Sequence, residues 1–112
     1  AEFEQAKDFG FATMLSNLLE NAFIAVCKVP DSQERKVSVR IEPKKEQLII
    51  EIRNNYFGKL DISRETGLPV TDKVDGHGYG LVSVSNYARK SGALLKFRSE
   101  GQLLVVQYIT NL

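Results

Sequence analysis

The sequence predicts an α+β fold, a two-layer α/β sandwich with helices packed on one face of a mixed, mostly antiparallel sheet. Three observations carry that prediction. Apolar residues recur at helical spacing in two separate segments, near residues 9–29 and 80–90. Alternating apolar residues mark a hairpin after each of those segments. There is no internal repeat or low-complexity stretch, and 112 residues suffice for one core but not for two. The chain is therefore read as a single domain, 1–112.

The first helix runs from about Phe9 to Val29, where Leu15, Leu18, Leu19, Ala22 and Val26 return at three- and four-residue intervals. Pro30 and Asp31 end it. Its other side carries Met14, Phe23 and Ile24, so burial around most of its circumference is expected. Lys36–Glu42 alternates through Val37, Val39 and Ile41, PKKEQ turns, and Gln47–Arg53 returns with Leu48, Ile50 and Ile52. Residues 54–79 then lose periodicity and read as a long loop, a length that usually signals function. Leu81, Val84, Tyr87 and Ala88 define a second helix over Gly80–Lys90, closed by Ser91-Gly92. Leu94–Ser99 and Gln102–Ile109 form the last hairpin across Glu100-Gly101.

Composition excludes several functional classes. The net charge is +1, and the nearest thing to a basic cluster, Lys44-Lys45, sits in a turn. Nucleic acid and anionic membrane surfaces are therefore not indicated as partners. No apolar run is expected to reach the roughly 20 residues of a membrane span. Cys27 is the single cysteine, so neither a disulfide framework nor a zinc site can form; a small buried thiol in a reducing compartment is expected. Residue 1 is Ala and the sole Met is Met14, which leads us to expect a piece of a larger protein.

Three motifs bear on chemistry. Residues 76–81 read GHGYGL and open the second helix. The phosphate-binding P-loop pattern is excluded because its lysine is missing. The dinucleotide fingerprint is excluded because the third glycine comes one position early and no strand precedes it. What remains is a glycine-rich loop at a helix N-terminus, either an anion site or an ordinary flexible entry. On the first helix, Asn17 and Asn21 share a face one turn apart within NLLENA. Each amide either bonds nearby backbone or offers a hard oxygen to Mg²⁺. In EIRNNYFG a strand runs into Asn54, which is either turn chemistry or a polar group aimed at a ligand's edge.

The combination resembles the GHKL ATP-binding superfamily of gyrase, heat-shock chaperones, histidine kinases and mismatch-repair proteins. NLLENA is similar to the N box of sensor histidine kinases, and GHGYGLVSVSNYARKSGALLKF to their G2 box, helix and following strand. The likeness spans essentially the whole chain and is strongest to the quorum-sensing and citrate-type sensor kinases. It implies a Bergerat-type fold, ATP and Mg²⁺ as ligands, and an ATP lid over about 59–79. Asn21 would hold Mg²⁺ and Asn17 would lie near the γ-phosphate. Asn54 and Gly58 would meet the adenine end. Gly76, His77, Gly78, Gly80 and Leu81 would form the phosphate-side hinge, with Leu81 anchoring the helix.

The resemblance further implies a kinase domain that donates the γ-phosphoryl group to a histidine on a separate dimerisation domain, with a response regulator downstream. Such a domain is the cytoplasmic part of a membrane-bound bacterial receptor and does not itself touch membrane or nucleic acid. An anti-sigma-factor-type serine kinase, or a degenerate domain used for protein interaction, are the alternatives. Several positions depart from the pattern. Asn17 stands where ATP-hydrolysing relatives have a general-base Glu, and Glu20 points about 100° away from Asn21. Asn54 replaces the usual Asp, Tyr56 a frequent Gly, and Ile24 a frequent Lys, for which Lys28 is the nearest substitute. Lys59, Arg64 and Lys73 are the lid cations available to the γ-phosphate, and His77 is a lid contact or a solvated loop residue.

Overall fold

In the computed structural model, residues 2–69 and 78–111 are described, with side chains for 10–69 and 81–111. Helix α1 (Glu2–Cys27) leads to strands β1 (Val37–Lys44) and β2 (Gln47–Asn55), then helix α2 (Gly78–Ser91) and strands β3 (Leu94–Glu100) and β4 (Leu103–Asn111). The strands form one sheet in the order β1-β2-β4-β3. All three pairings are antiparallel, with Ile41 opposite Ile50, Ile52 opposite Val106 and Phe97 opposite Val106. Both helices lie on one face of it, as the expected two-layer arrangement requires.

Period-two alternation places Ile50 and Ile52 of β2 and Val106 and Tyr108 of β4 toward the helices. Met14, Leu18 and Ala22 of α1 and Leu81, Val84 and Ala88 of α2 meet them in a single core. Tyr108 is fully buried and packs edge-on against Phe11 and in stacked geometry against Tyr87. Gly10 allows the two helices to approach here, since a Cβ at that position would stand 2.8 Å from Tyr87 Cε1.

The element ends have local causes. Arg35 folds back onto the C-terminus of α1, donating from Nε to Val29 O (2.7 Å) and from Nη2 to Cys27 O (3.3 Å). It thereby satisfies helix-end carbonyls and places a cation at the negative end of the dipole. Asp31 holds the same guanidinium at 2.9 Å. Helix α2 ends in a Schellman arrangement, with Gly92 (φ 73°) and bonds from Gly92 N to Arg89 O and from Ala93 N to Ala88 O.

Three expectations are corrected. Cys27 is exposed, not a buried thiol. Helix α1 is not buried around most of its circumference: Phe23 is 55% exposed, because only one side of α1 has a sheet to cover it. By length and composition Gly10–Cys27 does pass for a membrane span (mean hydropathy 1.3), although Met14, Leu18, Ala22 and Val26 within it serve the core. In addition, the segment after β2 is ordered more locally than a featureless loop. Ile62 bridges Pro69, Ser63 N donates to Leu68 O, and Ser63 Oγ accepts from the amides of Glu65 and Thr66. The remainder of the expected lid, 70–77, lies outside the described residues.

Candidate functional site

A cavity of about 210 Å³ opens between the inner face of the sheet and the C-terminal half of α1. Strand register builds its floor. Ile52, Val106 and Phe97 form one cross-strand row, and Asn54 and Leu104 belong to the next. Asn21, Ala25 and Lys28 of α1 form one wall, Leu81 of α2 another, and Tyr56, Phe57, Lys59, Leu60 and Pro69 close the loop side. The volume falls below the roughly 300–1,000 Å³ of whole-ligand pockets, so it suits a flat heterocycle whose polar remainder lies at the mouth.

Two amides reach this apolar space, and each has its nitrogen already engaged. Asn21 Nδ2 donates to Asn17 O, one turn earlier, at 3.0 Å. Asn54, only 1% exposed, donates from Nδ2 to Asn55 O at 3.0 Å. Both bonds fix the amide orientation, because two oxygens cannot face each other. Each side chain is left with its Oδ1 as an acceptor. For Asn21 this oxygen is a hard donor of the kind Mg²⁺ takes; for Asn54 it matches an N–H on a heterocycle's edge. Lys28 and Lys59 are the charged residues in the lining, and no carboxylate joins them among the described residues. Among the described residues the lining charges are therefore both positive, and one amide oxygen with phosphate and water ligands is a donor set that fits Mg²⁺.

The expected site residues are thus partly assembled. Asn21, Asn54 and Leu81 line one cavity. Asn54 sits within β2 and not in a turn, since pairing continues to Asn55 opposite Leu103. The side chain of Asn17 is half-buried but does not line the cavity; its carbonyl instead anchors Asn21. Gly58 adopts φ 85°, a left-handed conformation suited to glycine, between the lining residues Phe57 and Lys59. Gly78 and Gly80 form the first turn of α2, which starts two residues before the expected Gly80, so their N–H groups are among those free of intrahelical partners. Gly76 and His77 lie outside the described residues.

Phe97, Leu104 and Val106 were not anticipated as site residues, although their alternation within β3 and β4 was the available signal. Tyr56, which replaces a frequent Gly, has its ring held in place. Its hydroxyl donates to Gly101 O at 2.7 Å and lies 2.6 Å from Ser99 Oγ. Among the described residues, the two groups with displaced titration lie away from the cavity. On the opposite sheet face, burial acts to raise the Glu51 carboxyl. Hydrogen bonds from Arg53 and Gln107, with the charges of Arg53 and Arg40, outweigh burial and hold it below its ordinary 4.5. Burial, and then the neighbouring Tyr87, push the Tyr108 phenol above its ordinary 10.0.

Comparison with known sequences agrees with this geometry. A family profile described as the GHKL domain matches residues 7–110, nearly the whole chain. No curated protein sequence matches it. With the profile spanning both helices and all four strands, the chain belongs to the GHKL domain family.

Proposed function

We propose that this domain binds Mg²⁺–ATP in the cavity and donates the γ-phosphoryl group to a histidine on a separate dimerisation domain of a two-component sensor kinase. The observation that supports it best is the convergence of Asn21 and Asn54 on one cavity, with Lys28 and Lys59 in its described lining, beside the glycine-opened start of α2. Adenine enters the apolar part, its amine donating to Asn54 Oδ1. The phosphates extend toward Asn21, the lysines and the N-terminus of α2, where backbone donors and the helix dipole favour anions. Mg²⁺ held by Asn21 supplies charge neutralisation on the phosphates.

Transfer is favoured over hydrolysis because the described lining residues offer no general base for water. Asn17 cannot accept a proton at neutral pH, and no carboxylate is among the described lining residues. The acceptor imidazole nitrogen forms the bond to phosphorus as the bond to the β,γ-bridging oxygen breaks, and ADP leaves. Catalysis then rests on positioning and charge stabilisation. In this reading the domain is the cytoplasmic portion of a membrane-bound bacterial receptor, and a response regulator takes the phosphoryl group next.

The test is to incubate the domain with γ-labelled ATP and the dimerisation domain of its own receptor. Label on that domain that is acid-labile and base-stable is expected. Acid-stable label on a protein serine would favour the serine-kinase alternative, and ATP binding without any transfer would contradict the kinase reading.

A further inference from the structure

The β3–β4 turn is bonded to the start of the loop at the cavity's end through Tyr56 and Gln102. Tyr56 N donates to Gln102 O at 3.2 Å. Tyr56 O at 2.9 Å and Gly58 O at 3.3 Å both face one end of the Gln102 amide, which is assigned as its nitrogen because a third oxygen there would be repelled. The Tyr56 hydroxyl crosses to Gly101 O and Ser99 Oγ. Register makes the span clear: Asn54 of β2 pairs with Leu104 of β4, and Leu104 with Ser99 of β3. A side chain rooted just past β2 and tied to Ser99 therefore lies across β4, at the edge of the row holding Asn54.

We propose that Tyr56 is a positioning residue of this site, its ring a fixed end wall that sets a bound base against Asn54 and is held there by the β3–β4 turn. The inference rests on the nucleotide-binding reading above. A ring with both ends bonded loses little further freedom when a ligand arrives, so it orients the base at small entropic cost. Removing the hydroxyl alone keeps the ring and the Gln102 contacts but releases the tether. The turn, remote in sequence from every nucleotide motif, thereby becomes part of the binding apparatus.

Titration calorimetry with ATP, with and without Mg²⁺, on the wild type, Tyr56→Phe, Ser99→Ala and Tyr56→Gly tests this. Tyr56→Phe and Ser99→Ala are expected to weaken ATP binding roughly three- to ten-fold, the scale of one or two lost hydrogen bonds. The factor by which Mg²⁺ strengthens binding should stay at the wild-type value, and the melting temperature within about 4 °C of it. Tyr56→Gly should weaken binding further. Unchanged ATP affinity in Tyr56→Phe and Ser99→Ala, or tighter binding in Tyr56→Gly, would overturn the wall. So would a parallel loss of the Mg²⁺ effect, which would mark general loosening of the site. A wild type that binds no ATP would overturn the nucleotide reading itself, and this inference with it.

Discussion

Asn21 and Asn17 are joined side chain to backbone: the Asn21 amide nitrogen donates to the Asn17 carbonyl at 3.0 Å. The bond occupies the half of the amide that cannot bind a cation and leaves the half that can. Asn17 performs this duty through its main chain. Asn21→Ala is therefore expected to weaken Mg²⁺–ATP binding on the order of ten-fold and to abolish most of its Mg²⁺ dependence. Asn17→Ala retains the carbonyl, so the Mg²⁺ dependence should persist. Calorimetric titration of both variants checks the contrast.

Gly10 and Tyr87 set how closely α1 and α2 approach. A methyl group at Gly10 would meet Tyr87 Cε1 at 2.8 Å, and that ring is stacked on the buried Tyr108. Gly10→Ala gains helix propensity but forces the ring to move, and the strain should exceed the gain, leaving a loss of roughly 1 kcal/mol. Denaturant unfolding would show a lower midpoint with unchanged slope. In a Tyr87→Leu background the substitution should turn neutral or stabilising.

Glu51 makes stability depend on acid. Its carboxyl is depressed below 4.5, so its contribution is present above that pH and is lost as pH falls through the folded-state value. Glu51→Gln should be less stable than the wild type at pH 7, because Arg53 keeps a weaker partner. The difference between the two proteins should shrink as pH drops below about 4, as thermal unfolding across a pH series would show.

Tyr108 acts at the alkaline end. Its phenol is raised above 10.0, so its contribution is full below that pH and disappears as pH rises through the folded-state value. Tyr108→Phe removes the ionisable hydroxyl but keeps the ring against Phe11 and Tyr87, and should change stability at neutral pH by no more than about 1 kcal/mol. Above pH 10 the wild type should lose stability faster than this variant, which equilibrium unfolding at pH 8 and 11 would reveal.

Much of the fold was legible because each element carries its own period and its own stop. Ser91-Gly92 ends α2 as expected, with Gly92 at φ 73°. The strands run one or two residues past their expected C-terminal ends, because pairing partners extend them: Asn55 is held by Leu103 and by the Lys36 carbonyl. That same extension turns Asn54 from a possible turn residue into a buried one. The exposed side of α1 was not legible, since an apolar composition does not state whether a second layer exists to cover it. Nor was the anchoring of Tyr56, whose hydroxyl partner Ser99 lies 43 residues away. Local pattern reports helices and hairpins; it carries no record of which hydroxyl meets which turn.

On the proposed function, Asn21 and Asn54 act on one bound nucleotide. The most direct measurement is calorimetric titration of the domain with ATP, with and without Mg²⁺, alongside Asn21→Ala and Asn54→Ala. Mg²⁺-strengthened binding is expected in the wild type. In Asn54→Ala the affinity should fall while the Mg²⁺ effect survives, and in Asn21→Ala the Mg²⁺ effect itself should be lost. Wild-type binding that ignores Mg²⁺ and both substitutions, or no binding at all, would contradict it.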